Sequence, residues 1–247
     1  MAKKIVVIGA GPAGMMASIA AANAGAEVTL IERNPRPGRK LSITGKGRCN
    51  VTNACEMREF LTHVTSDPRF LYSTLSAFSC SDVMHFVEKL GVPLKVERGA
   101  RVFPVSDRAQ DVVDAFCAEM RRCSVRLVCD RATALEYDGD GRPSSVVCEA
   151  GKYPCDAVIV ATGGCSYPLT GSPGDGYVLA RAAGHTVVEP RPSLVPLVSP
   201  DRFCADCMGL SLRNVRVTLF SEEKEIYSDF GEMLFTHFGL SGPCILS

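Results

Sequence analysis

The chain has no excess of charge, few histidines and no long apolar run, and each shortage closes a class of function. Its 247 residues carry 27 Lys and Arg against 27 Asp and Glu. Such a balance leaves no electrostatic footprint for a polyanion, so no nucleic-acid partner is expected. No stretch reaches the roughly 18–20 apolar residues that a membrane-crossing helix needs. Lys3 and Lys4 precede an apolar run, but glycines interrupt it from position 9, unlike the core of a signal peptide. A soluble, cytoplasmic protein without a membrane partner is the expectation. His63, His85 and His185 form no constellation, and only His237, in Phe-Thr-His-Phe-Gly, sits in a motif-like setting suited to a proton donor. The 12 cysteines are scattered through apolar patterns and read as small buried hydrophobes. One C-x-x-C, Cys204-Ala-Asp-Cys207, has no second pair at zinc spacing. No metal is expected, and a redox dithiol is the lesser reading. There is no internal repeat and no low-complexity segment.

What is present begins at residues 3–32, KKIVVIGAGPAGMMASIAAANAGAEVTLIE. An apolar run enters a G-x-G-x-x-G loop at Gly9, Gly11 and Gly14, an Ala-rich helix follows, and a second apolar run closes at Glu32. Each part has a mechanical job in holding a dinucleotide. Gly9 permits the turn, Gly11 lets backbone approach a pyrophosphate, and Gly14 lets the helix pack close to the strand. The amide groups and dipole at the helix N-terminus favour the phosphates. Glu32, 18 positions after Gly14, is placed to accept hydrogen bonds from a ribose diol. A glycine-rich turn in an ordinary β-α-β unit is the plain alternative.

Beyond Glu32 the breakers and cations of residues 34–40 mark a loop, and residues 41–53 a second, ordered one. Apolar spacing predicts one helix over 67–90 ended by Gly91, a hairpin over 92–104, and a helix from Asp107 to Arg122. Strands are predicted at 125–129, 132–137 and 145–149, the last two joined by the Asp138–Gly141 turn. Asp156 precedes an apolar strand, 157–160, that runs into Ala161-Thr-Gly-Gly164. Such a strand, ending in small residues, is what a doubly wound sheet presents beneath a nucleotide. A glycine-rich turn (170–176) and a helix (177–183) follow, then a shift toward proline and a hairpin at 212–220 and 225–227. A boundary is placed near 188–192.

Three segments, GRKLSITGKGRCNVTN (38–53), ATGGCSYPLTGSPGDGY (161–177) and FTHFGLSGPCILS (235–247), carry a resemblance to the two-dinucleotide-binding-domain flavoproteins. More narrowly, the chain is similar to the FAD-dependent family of aminoacetone oxidases and bile-acid-reductase-like oxidoreductases. The resemblance implies an α/β fold: a Rossmann-like FAD-binding domain with a parallel central sheet over 1–190, and the start of an inserted, β-rich, substrate-side domain over 191–247. It also implies a fragment, because the chain segment that returns to complete the flavin site is absent.

The cofactor residues expected on this basis are Gly9, Gly11, Pro12, Ala13 and Gly14 for the pyrophosphate, Glu32 for the ribose and Arg33 beside the adenine. Ala132 is implied by resemblance alone at the adenine edge. Ala161, Thr162, Gly163 and Gly164 would pass close to the dinucleotide. The basic loop, with Arg39, Lys40, Lys46 and Arg48, is the expected flavin neighbourhood, where a cation would favour the anionic reduced ring. Lys40 and Arg48 are the favoured contacts, with Cys49 and Asn50 in the same loop, and Asp175 is a candidate for a flavin or ribityl hydroxyl. Solvated charges and a self-capped turn are the plain readings of these residues. The expected function is hydride transfer between a small organic substrate and flavin N5, with NAD(P)H or oxygen as electron partner. Alternatives are an NAD-binding dehydrogenase resting on residues 1–32 alone and a non-enzymatic flavin-binding module. Substrate, direction of reaction, catalytic acid or base and oligomeric state stay open.

Overall fold

A computed structural model describes residues 2–246, which form two compact units that divide between Val187 and Val188. In the first unit, strands β1 (Lys4–Ile8) and β2 (Glu27–Glu32) flank helix α1 (Pro12–Asn23). Then come the short β3 (Thr52–Asn53), β4 (Leu94–Glu97), β5 (Arg101–Pro104), β6 (Arg126–Cys129), β7 (Ala132–Tyr137), β8 (Pro143–Cys148), β9 (Lys152–Pro154) and β10 (Ala157–Val160). The central sheet has the order β10-β1-β2-β6, with every pairing parallel. Parallel neighbours need crossovers, and α1 supplies the one between β1 and β2.

Alternation along β1 decides the layering, because successive side chains leave opposite faces of a strand. Val7 packs with Met15, Ile19, Leu30, Val112 and Phe116, beneath α1 and the helix Ala109–Arg122. Val6 and Ile8 pack with Ile31, Ala132, Val146 and Leu179, beneath the antiparallel sheet β7-β8-β9 and the helix Asp175–Ala182. Both faces are covered, which is why β1 reads as a continuous apolar run. Each fully buried aliphatic chain here contributes about 1.5–3 kcal/mol relative to exposure.

Several predicted elements change. The helix expected over 67–90 is two, Pro68–Ala77 and Cys80–Lys89, because Phe78 is extended and Ser79 begins a new helix. Ser79 and Asp82 form a reciprocal capping box there, Ser79 N donating to Asp82 at 2.8 Å and Asp82 N to Ser79 Oγ at 3.2 Å. Helical periodicity continues across a cap, so spacing alone does not reveal the break. The next helix starts at Ala109, because Asp107 is left-handed (φ 54°) and its carboxylate accepts from Lys95 and Arg48. A helix at Met57–Thr62 had no sequence expectation.

The second unit holds an antiparallel sheet, in which β11 (Leu197–Val198), β12 (Ser211–Ser221), β13 (Lys224–Thr236) and β14 (Gly239–Ser241) take the order β11-β14-β13-β12. β13 is much longer than the strand expected at 225–227. The β12–β13 hairpin closes through Glu222 and Glu223, both left-handed at φ 48° and 68°.

Candidate functional site

The four parallel strands place their carboxyl ends side by side, with Ile8 opposite both Ile31 and Val160, and Glu32 opposite Cys129. The loops leaving those ends enclose a cavity of about 390 Å³. In open α/β sheets this edge is where ligands bind. Gly9 makes the first turn: its φ is +100°, its amide donates to Ile31 O at 2.7 Å, and a Cβ there would lie 2.6 Å from Ala161 O. A Cβ on Gly14 would overlap Gly9 O, so these two glycines answer to the protein's own backbone. Gly11 differs, because a Cβ there would meet no protein atom within 4 Å. Its bareness leaves room on the cavity side. Helix α1 begins at once with Pro12, has no side-chain cap and no acid in its first turn, and so leaves its positive end uncompensated.

Glu32 is buried, and both its oxygens are held: Oε2 accepts from Ala10 N at 2.7 Å, and Oε1 from Asn34 N at 2.8 Å and Asn34 Nδ2 at 2.7 Å. The carboxylate is thereby fixed against the glycine loop. Beyond it Arg33 pairs with Asp175 at 2.9 Å, and Arg131 approaches the same carboxylate at 3.6 Å. Asp130, also buried, accepts from Arg131 N, Ala150 N and the Tyr153 hydroxyl. Burial, followed by the Asp130 charge, raises the Tyr153 phenol above its ordinary pKa. The cavity wall carries four cations (Arg33, Arg39, Lys40, Arg131) against three carboxylates (Glu32, Asp130, Asp175), a formal surplus of one positive charge.

Of the residues singled out in sequence, Gly9, Gly11, Pro12, Ala13, Glu32, Arg33, Lys40, Ala132, Ala161, Thr162, Gly163 and Asp175 line this cavity. Asp175 is paired with Arg33 and approached by Arg131. Gly14 sits beneath the loop, and Gly164 faces the Tyr177 hydroxyl. Arg48, Cys49 and Asn50 lie outside the lining. The Arg48 guanidinium bonds Glu97 at 2.9 Å and Asp107 at 3.3 Å and stacks 4.1 Å over Phe103. The hydrogen bond that Arg48 donates to Glu97, ahead of the opposing cost of burial, holds Arg48 above its usual pKa and Glu97 below its own. Cys49 is buried, and that burial pushes its thiol up to about 11. The Asn50 amide, with its nitrogen turned inward, donates to Thr52 O and Val102 O. His237 belongs to the second unit, exposed in the turn between β13 and β14 with its ring edge-on to Phe238. The sequence reading missed Asn34, Arg131 and Thr44. Asn34 had one available signal, standing two residues after the acid.

Residues 3–241 match the family described as HI0933-like protein Rossmann domain. The chain belongs to that family. Over 242 residues it is 34% identical to the 3-dehydro-bile acid delta(4,6)-reductase of Clostridium scindens, covering 97% of this chain and 58% of that protein. It is 32% identical over 241 residues to the ribosomal RNA dihydrouridine synthase of Escherichia coli, covering 98% and 59%. The chain therefore spans under two thirds of the curated relatives it matches. Among solved structures, the open form of a flavocytochrome c3 fumarate reductase superposes with a TM-score of 0.55 at 20% identity, covering 86% of this chain and 47% of that one. At that identity the likeness is one of fold. The parallel Rossmann-like sheet of the first unit agrees with that family's description.

Proposed function

We propose that this chain is the FAD-binding part of an oxidoreductase that saturates a carbon–carbon double bond conjugated to a carbonyl group. The observation that carries the cofactor assignment is the cradle itself. Gly11 is bare where no protein atom requires it, an uncapped helix N-terminus stands beside it, and a fixed carboxylate lies against the same glycine loop at the cavity wall. These features fit the pyrophosphate and ribose of a dinucleotide. Ala13 and Gly14 would offer amides to the phosphates, and Glu32 would accept from the adenosine ribose. Arg33 and Arg131 would flank the adenine beside Ala132. Lys40, Leu41 and Thr44 line the same cavity at the foot of the basic loop, on the side assigned to the flavin half.

When bound and reduced, FAD would supply a hydride from N5. The substrate class is argued from the two curated relatives, whose names share one chemistry. A 3-dehydro bile acid with 4,6 unsaturation is a conjugated ketone, and dihydrouridine is uridine reduced at the double bond conjugated to its C4 carbonyl. For such a bond the proposed step passes hydride to its electron-poor carbon (β to the carbonyl, or δ in an extended dienone) and a proton to the conjugated system, with the two electrons restored by a reductant such as NAD(P)H. The residues of this chain contribute binding and orientation of the cofactor. His237, exposed in the second unit, is the proton-donor candidate that the sequence offers.

The test is a titration of the intact protein with FAD, followed by anaerobic bleaching of the flavin band with NADH or NADPH. The flavin should be reoxidised by a 3-oxo-4-ene steroid or by a uridine-containing RNA. Reoxidation by neither, with bleaching instead by a primary amine, would reverse the proposed direction. A protein that takes up no FAD would remove the reading altogether.

A further inference from the structure

Asn34 bridges residues 32–39 and the 166–172 segment, both at the cavity, through three side-chain hydrogen bonds. Its Nδ2 donates to Glu32 Oε1 at 2.7 Å and to Thr170 O at 3.1 Å, while its Oδ1 accepts from Arg39 at 3.1 Å. Its main-chain amide donates to the same Glu32 oxygen. One planar amide thus connects the carboxylate that faces the glycine loop, a cation of the cavity wall and the 166–172 segment. Gly171 makes the approach feasible, because a Cβ there would stand 2.5 Å from Asn34 Nδ2, and its φ of +103° suits glycine alone. Lys40 adds a second tie between the same loops, donating to Ser166 Oγ at 2.5 Å and Ser166 O at 3.1 Å and standing 5.9 Å from the centre of the Tyr167 ring.

We infer that Asn34 is a positioning residue of the cofactor site: it orients Glu32 for the ribose and, through Thr170, couples occupation of that subsite to ordering of the 166–172 loop. This rests on the FAD reading above. The physical reason is geometric. Glu32 holds its carboxylate toward Ala10 through Oε2 and toward Asn34 through Oε1, so a ribose hydroxyl bonding the carboxylate shares it with Asn34. Any movement of the carboxylate is carried by the amide to Thr170 O. Without the Asn34 side chain, Glu32 would lose one of its three donors, so that Oε1 is held by the residue-34 main-chain amide alone, and of these two ties the loop would keep only that of Lys40. Charge-assisted hydrogen bonds are the stronger ones, which makes this side of Asn34 the more consequential.

The experiment is hydrogen–deuterium exchange on the intact protein, with and without FAD, together with FAD affinity from fluorescence quenching. In the unsubstituted protein FAD should slow exchange both in 9–14 and in 163–172. In Asn34→Ala the affinity should fall about tenfold or more, and FAD should still protect 9–14 while no longer protecting 163–172. General destabilisation would not separate the two segments. Gly171→Ala reaches the contact from the other side and should also uncouple them, with the double variant binding no worse than the weaker single one. Equal protection of 163–172 in Asn34→Ala, or affinity within twofold of the parent, would overturn the inference. If the parent itself binds no FAD, it is the cofactor reading that has failed.

Discussion

The glycine cradle and the basic loop lie within one unit of the chain and obey opposite rules. The cradle, residues 9–14 with 161–163, is made of backbone, and its important atoms are ones that are missing. The basic loop, residues 39–48, is made of charged side chains, and its apparent ligand-binding cations are partly consumed by the fold. Arg48 is held by Glu97 and Asp107, which lie 49 and 59 residues away. Lys40 reaches Ser166, 126 residues away. A missing side chain is evident from the residue itself, whereas the partner of a charge is set by tertiary pairing.

The sharpest way to break the comparison is at Gly11 and Gly14. Gly14→Ala would drive a Cβ into Gly9 O, so it should destabilise the unit by a few kcal/mol and remove FAD binding along with the fold. Gly11→Ala should act on the ligand alone. Its φ of −74° is open to alanine, and its Cβ would meet no protein atom. The loss of a good N-cap and the stiffening of the unfolded chain oppose each other, so stability should move by less than about 1 kcal/mol. FAD affinity should fall about ten- to a hundredfold, because the pyrophosphate would meet the new methyl. Unchanged affinity in a well-folded Gly11→Ala protein would sink the cradle assignment.

At Arg48 the expected effect is smaller and has the opposite signature. Arg48→Ala should lower the melting temperature and speed exchange in 44–50, with FAD affinity moving only severalfold, since the side chain faces Glu97, Asp107 and Phe103. The pH dependence has a definite sign. Hydrogen bonds from Arg48 and Lys95 hold Glu97 and Asp107 below their ordinary values of 4.5 and 3.8. The stabilisation is therefore complete above those values and is lost as pH falls through the depressed ones. The melting difference between the parent and Glu97→Gln should be constant near neutrality and close at acid pH. A large drop in affinity without a change in melting would instead make Arg48 a cofactor contact.

Legibility in the sequence follows the same division. β1, α1, β2 and β10 were readable because a two-sided apolar strand, a glycine turn and a helix are all local signals. The pairing of β1 with β10, more than 150 residues distant, was hinted at only by the small residues after Val160. The capping box at Ser79 and Asp82 went unread because the apolar spacing continued through it. Cys49 illustrates the other limit. Its place in a basic loop invites a reactive thiolate, yet burial raises it to about 11. It should resist iodoacetamide at pH 8 while the exposed Cys129 and Cys165 are labelled, as peptide mass spectrometry would show. Labelling of Cys49 at the rate of those two would contradict the buried position.

The smallest effect is expected where the chain lacks a glycine that its backbone would favour. Glu222 and Glu223 close the β12–β13 hairpin as a two-residue turn with both φ values positive, the conformation for which Asn-Gly is preferred. Side chains tolerate it at a cost, and Glu223→Gly should relieve that cost and raise stability by about 0.5–1 kcal/mol, partly offset by the greater freedom of the unfolded chain. Thermal or urea unfolding of the intact protein would measure it, and FAD affinity should not move. At Gly11 a methyl added in open space should harm the ligand and spare the fold; at Glu223 a side chain removed should help the fold and leave the ligand alone. If Glu223→Gly weakened FAD binding, the separation between residues that serve the protein and residues that serve the cofactor would fail.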